Sequence, residues 1–202
     1  MKAKCMILVF IVLSIKIYAQ DSTRVHFSSS IGIFMPLSTF SKSYERSLSL
    51  GSGLEYLINK KCFLLGEVAF NAVKYNQQFR DKNSNFLFQN TNSSVISVGL
   101  NISRIVKFKP ASAFSLSPYV GLGYVNIGEP RLMVDIASQI AKQEVTRMQG
   151  VFTKVGTRIE LKTNIIAIKN VFLNISYWNT NLQIQESKPK VLSLVLGTKV
   201  GF

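Results

Sequence analysis

The sequence has little cysteine, little histidine and few acids. Among its 202 residues there are two cysteines, one histidine and 10 acidic residues against 24 lysines and arginines. Clustered Cys and His ligands for a metal are therefore missing, and so is a disulfide framework. The sequence also lacks an apolar run of the length that a membrane-spanning helix requires, which excludes a helical membrane protein.

Residues 1–19 have the features of a secretory signal peptide. Lys2 and Lys4 precede a short apolar run, Cys5 to Leu13, and Ala19 is a small residue at which cleavage can occur. We expect a cleaved signal at 1–19 and one exported domain at 20–202, in which Cys62 is the only cysteine. Loss of three lysines with the signal lowers the formal charge from +14 to +11. Nucleic acid is not an expected partner, because the chain is exported and carries no recognition motif.

The exported part alternates apolar and polar residues with a period of two. In the last segment, for example, Leu192, Leu194 and Leu196 share one face with Phe202. Eight such segments are present, and the connections between them alternate between long and short. They cover residues 25–35, 48–57, 62–75, 96–103, 114–124, 151–161, 171–179 and 191–202. The pattern predicts an all-β, eight-stranded, antiparallel up-and-down barrel.

The composition of the polar faces indicates which side of each strand points outward. A soluble sandwich or barrel would turn its apolar face inward and expose Lys and Glu. Here the polar faces are rich in Gly, Ser and Asn, which suit a narrow lumen. The segments are also longer than the five or six residues typical of soluble sheets. Both features favour a transmembrane barrel whose apolar faces contact lipid.

Two long connections, 76–93 and 126–149, are expected to be outer loops. In the second, Pro130 can begin a helix, and Met133, Ile136 and Ile140 recur at helical spacing. The spacing predicts a short helix near 131–144, in the third outer loop.

Six charged residues fall on the polar, inward faces, and their formal charges cancel. They are Glu55, Glu67, Lys154, Arg158, Glu160 and Lys199. An isolated charge in a narrow lumen is poorly solvated, and a barrel of eight strands is just wide enough for side chains to fill. We expect a paired network that plugs the lumen, with a gate in a narrow pore as the alternative.

The short connections, which bacterial barrels turn toward the periplasm, carry bases and no acid. This basic rim consists of Lys60, Lys61, Lys107, Lys109, Lys162 and Lys169, together with Arg104. It can contact anionic lipid head groups, at about 1 kcal/mol per charge. The alternative is a docking surface for an acidic periplasmic protein. The outer loops are mildly basic, which is compatible with contact to lipopolysaccharide phosphates.

Several features together resemble the porin-like outer-membrane β-barrel family, which includes small OmpX-like and PorT-like barrels of Gram-negative bacteria. They are the signal ending in Ala19-Gln20, the Gly-rich second strand leading to Glu55-Tyr56, the eight strands and the terminal Phe202. The resemblance implies an integral protein of the cell outer membrane. It covers the exported chain but includes no catalytic motif. A monomer is expected, as is usual for barrels of this size.

Nothing in the sequence indicates catalysis or a cofactor. His26 has no Ser–Asp arrangement beside it, and no Gly-rich phosphate loop follows a strand. We therefore expect a protein that is not an enzyme. Three functions remain: a structural or surface-interaction barrel acting through its outer loops, an accessory component of a secretion or envelope machine, and a narrow pore.

Overall fold

Alternating side chains give each strand two unlike faces, and eight long strands close into an antiparallel barrel. The computed structural model describes residues 24–80, 86–107, 113–135, 140–165 and 168–201, with the backbone alone at 133–135, 140–142, 164–165 and 201. The predicted signal peptide, Lys109 and Phe202 lie outside the described residues. The elements are β1 Val25–Pro36, α1 Phe40–Ser43, β2 Ser47–Asn59, β3 Cys62–Tyr75, β4 Thr91–Arg104, β5 Val106–Lys107, β6 Phe114–Asp135, β7 Ile140–Ile165, β8 Ile168–Thr180 and β9 Lys190–Gly201.

Every long strand pairs with a strand on each side. β1 pairs with β2 and also with β9, for instance Ile31 with Leu50 and with Leu196, and β4 pairs with β6. The two-residue strand β5 extends the β4 side against β6. Because the ladder closes, it leaves no free edge around the wall of the barrel. The predicted eight-stranded barrel is confirmed.

The two ends of the barrel differ. At one end lie the short connections β2–β3, β4–β6 and β7–β8, together with the beginning of β1 and the end of β9. We call it the turn end. The longer connections lie at the other, the loop end, where α1 follows β1. No helix within the described ranges is long and apolar enough to cross a bilayer.

The apolar faces point outward and form an exposed belt around the barrel. Leu48, Leu122 and Val151 are 55%, 62% and 57% exposed. Their neighbours on other strands, such as Leu54, Val98 and Leu196, are similarly exposed. Monomeric soluble proteins rarely expose contiguous apolar patches above a few hundred Å². The orientation predicted from the composition of the polar faces is confirmed.

The third outer loop contradicts the predicted helix. β6 and β7 continue through most of 131–144 as a hairpin in which Arg131 pairs with Glu144 and Leu132 with Gln143, and 136–139 lie outside the described residues. Pro130 stands within β6 where β4 no longer pairs with it, an edge position at which a strand tolerates proline. The apolar spacing suited a helix locally, but pairing that continues from the barrel wall outweighs it.

An apolar layer fills the barrel at the loop end. Phe40 of α1, Tyr44 and Ile184 are completely buried there. The connections that carry them therefore fold into the barrel at the loop end. We call this set of side chains the apolar layer. It consists of Phe34, Phe40, Tyr44, Val73, Tyr75, Val95, Val125, Ile127, Phe152, Trp178, Ile184 and Val191.

Candidate functional site

Inside the turn end, four of the six charged residues chosen from the sequence meet in one cluster. Glu55 is fully buried; one oxygen accepts from Arg158 Nη1 at 3.0 Å and the other from Lys199 Nζ at 2.8 Å. Lys199 Nζ is also 2.9 Å from Glu160, whose carboxylate accepts from Asn170 Nδ2 at 2.6 Å. Two carboxylates thus balance two cations. We call these four residues the charge cluster.

The other two charged residues form a separate ion pair nearer the middle of the barrel. Lys154 Nζ donates to Glu67 Oε1, and both side chains are largely buried. The ammonium also lies 5.8 Å from the centre of the Tyr119 ring. A cavity of about 50 Å³ lies between this pair and Arg158. All six residues therefore line the interior, in one group of four and one group of two.

Aromatic rings hold the cations of the charge cluster in place. The Arg158 guanidinium lies 4.4 Å from the centre of the Phe172 ring and 5.7 Å from that of Phe63. Such contacts stabilise a desolvated cation. Phe172 lies over Gly197 on β9, where a Cβ atom would collide with the ring. The glycine therefore makes room for the ring that supports Arg158.

A second polar network, at the loop end, could not be found from the sequence. The Tyr44 hydroxyl donates to Gly128 O at 2.8 Å, and Tyr75 donates to Glu129 Oε1 at 3.1 Å. Glu129 also accepts from Arg131 at 2.7 Å. Burial raises the pKa of the Tyr44 phenol, so this group remains protonated and donates. These bonds tie the connection after β1 to the base of the β6–β7 hairpin.

The basic rim lies exposed at the turn end. Lys60, Lys61, Lys107, Lys162 and Lys169 are all exposed there, and Lys109 lies outside the described residues. Lys169 Nζ approaches His26 Nε2 at 3.5 Å, although His26 itself is buried. Among the residues that the structure describes, no group of His, Cys, Asp and Glu is arranged to hold a metal ion.

Comparison with known proteins identifies the fold. No family model and no curated protein matches the chain. Neisserial surface protein A aligns over 89% of this chain and 98% of its own, with a TM-score of 0.57 and 12% identity. A major outer membrane protein of Thermus thermophilus aligns over 88% of this chain and 99% of its own, with a TM-score of 0.58 and 12% identity. OprG of Pseudomonas aeruginosa aligns over 89% of this chain and 97% of its own, with a TM-score of 0.52 and 12% identity.

The fold is that of the small outer-membrane β-barrels. The resemblance expected from the sequence is confirmed at this level, and the exposed apolar belt is the surface that such a barrel presents to lipid. At 12% identity the comparison extends to the fold and no further. What this barrel does must be argued from its own side chains.

Proposed function

We propose that the protein is a closed, non-conducting barrel of the bacterial outer membrane that acts at the cell surface through its β6–β7 hairpin. The projection of this hairpin beyond the barrel wall is the observation that carries the proposal. It is a monomer that needs no cofactor and catalyses no reaction.

Two filled layers in series support a closed lumen. At the turn end the charge cluster occupies the interior, and at the loop end the apolar layer does so. The cavity of about 50 Å³ between Arg158 and the Glu67–Lys154 pair has room for a few water molecules. An ion crossing the barrel would have to break buried ion pairs and then displace packed rings, both of which are costly.

The hairpin extends well past the last strand that supports it. β4 stops pairing with β6 at Ile127, and β8 stops pairing with β7 at Phe152. Beyond these points, among the residues that the structure describes, 128–135 forms strand pairs only with 140–147. At about 3.4 Å per residue, the eight residues of β6 past Ile127 span about 27 Å along the strand, and the first three, Gly128 to Pro130, are still buried at the loop end. A two-stranded ribbon beyond the barrel wall offers its side chains to a partner.

The closed lumen is tested by single-channel recording of the refolded protein in planar bilayers. A gel shift on heating first shows that the barrel has folded. We expect no steady conductance. Steady channels that change when Arg158 is replaced by Ala would refute the closed barrel and favour the narrow pore.

The surface role is tested by shortening the hairpin. Residues 134–141 are replaced by Asn-Gly, a two-residue turn that suits a hairpin. Cells displaying this variant should lose adhesion to host or bacterial surfaces. A control hairpin of wild-type length but scrambled sequence separates the effect of length from the effect of sequence. Unchanged adhesion in the shortened variant would contradict the surface role.

The basic rim supports the second candidate, an accessory component of an envelope machine. Lys60 and Lys61 stand exposed together at the β2–β3 turn, where an acidic periplasmic protein could dock. A partner captured by the wild type and lost on replacing both residues by Gln would favour this function over the surface role. Contact of the rim with anionic lipid, and of the outer loops with lipopolysaccharide, is compatible with either function.

A further inference from the structure

The turn end of the barrel contains a basic cavity on the outer side of the charge cluster, whose Lys199 and Glu160 form part of its wall. Its volume is about 450 Å³, within the range of small-molecule sites. The charged and titratable residues lining it are Lys60, Lys107, Lys162, Lys169, Lys199, His26 and Glu160. We propose that this cavity binds a phosphate group, carried either by a small soluble anion or by a lipid head group. We call it the mouth cavity.

The mouth cavity has an excess of positive charge. Its one carboxylate, Glu160, is already paired with Lys199 at 2.9 Å. The remaining lysines (Lys60, Lys107, Lys162 and Lys169) have no carboxylate within 4.0 Å among the described residues. Clefts lined by charge of one sign concentrate ions of the other sign. Four ammonium groups around one opening therefore favour an anion of more than one charge.

Strand register directs part of the basic rim toward the lumen. Lys162 lies two residues beyond Glu160 on β7, on the same inward face, and pairs with Asn170. Lys107 pairs with Ser115, which in turn pairs with Glu160. Lys61, by contrast, does not line the cavity. The lining lysines are thus distinguished from a ring of charges that simply faces surrounding head groups.

A buried histidine, His26, lines the mouth cavity between the charge cluster and Lys169. His26 is 4% exposed, and its Nδ1 atom, which makes no hydrogen bond with a described residue, lies 3.9 Å from Glu55 Oε1 of the charge cluster. On the other side of the ring, Nε2 lies 3.5 Å from Lys169 Nζ. Lys169 is therefore the group beside the ring that can donate a hydrogen bond to a phosphate oxygen in the cavity.

The chemistry of the lining favours phosphate in particular. Lysine binds phosphate as a compact point charge and forms up to three hydrogen bonds. An acidic residue would repel a phosphate, and the one acidic residue in the lining, Glu160, is already paired with Lys199. A free phosphate compound and a phospholipid present the same group, and the experiment distinguishes the two sources.

The test is a titration of the refolded, isotope-labelled protein with inorganic pyrophosphate in zwitterionic micelles, followed by amide NMR shifts. We expect saturable shifts centred on the residues around Lys107, Lys162 and Lys199. The variant K107Q/K162Q should bind about tenfold more weakly, because two converging charges are lost. The matched variant K42Q/K188Q removes two exposed lysines of the loop end and should bind as the wild type does. Both variants must retain the gel shift on heating.

Nanodiscs reveal which source supplies the phosphate. The comparison is between nanodiscs of phosphatidylglycerol and nanodiscs of phosphatidylcholine. If phosphatidylglycerol alone gives the same shifts without pyrophosphate, and if pyrophosphate then binds more weakly than in phosphatidylcholine, the ligand is a lipid head group. Equal pyrophosphate affinity in both lipids assigns the site to a soluble anion. Shifts that do not saturate, or that K42Q/K188Q reduces as much as K107Q/K162Q, would overturn the proposal and leave only diffuse charge attraction.

Discussion

Replacing Glu55 by Gln should destabilise the barrel more than almost any other change of one charge. Glu55 is completely buried and is the carboxylate that both Arg158, at 3.0 Å, and Lys199, at 2.8 Å, contact directly. Glutamine keeps the size and one acceptor but removes the negative charge. Arg158 and Lys199 then share the single carboxylate of Glu160 in a desolvated interior. Removing one partner of a buried ion pair costs about 3–5 kcal/mol.

That loss is large against a typical unfolding free energy of about 5–15 kcal/mol. It can be measured by urea unfolding in micelles, monitored by the fluorescence of Trp178, which packs 5.4 Å from Phe152 at the loop end. Because the probe lies away from the substitution, a shifted midpoint reports unfolding of the whole barrel. The control is Glu186→Gln, which removes the same charge from an exposed position and should cost at most about 0.5 kcal/mol.

A second variant keeps the test informative if Glu55→Gln does not fold. Glu55→Gln combined with Lys199→Met removes the unbalanced cation and should recover at least about 1 kcal/mol of the loss, as expected for coupled neighbours. If Glu55→Gln behaves like Glu186→Gln, the charge cluster does not hold the barrel together. A loss that Lys199→Met cannot relieve would show that packing, and not charge balance, is responsible.

Three further predictions concern other parts of the barrel. Gly197→Ala should cost about 1–3 kcal/mol, because the new methyl group displaces Phe172, whereas Gly66→Ala, whose new methyl group would lie 3.9 Å from its nearest neighbour, should be neutral in the same unfolding assay. Tyr44→Phe should cost about 1 kcal/mol and increase proteolysis at the loop end; the loss stays small because Ser93 also donates to Gly128 O, at 2.6 Å. Replacing 134–141 by Asn-Gly should shift the urea midpoint little, since the described residues of this segment, 134–135 and 140–141, form strand pairs only with each other; a large shift would contradict this reasoning.

The wall of the barrel was predictable because the information is local. A period of two assigns each residue to one face, so the apolar belt and the inward position of Glu55 or Arg158 follow from short stretches of sequence. Which charges touch does not follow in the same way. Glu55 lies 103 residues from Arg158 and 144 from Lys199, and their contact depends on the registers of several ladders together. The sequence predicts that the charges in the lumen balance, whereas the contacts between them depend on how the barrel closes.

The loop end was predicted poorly for a different reason. Phe40 and Tyr44 lie in a connection with no periodic pattern, so nothing local indicates that they turn into the barrel. In the third outer loop, the helical spacing of Met133, Ile136 and Ile140 was a real local signal. The helix does not form because β6 and β7 leave the wall already paired, so that each further cross-strand pair extends an existing ladder without a new loop closure. Tertiary context overrides local preference there.

The charge cluster and the apolar layer are held by different interactions and should respond to different substitutions. The charge cluster is held by attraction between ions and weakens when a carboxylate is removed. The apolar layer is held by packed rings, such as Phe34 and Phe152 against Trp178, which carry no charge. No residue belongs to both sets. In a variant that still folds, a substitution that disrupts one layer should therefore leave the other in place. A single change should destabilise the barrel without opening it, and conduction requires that both layers be disrupted.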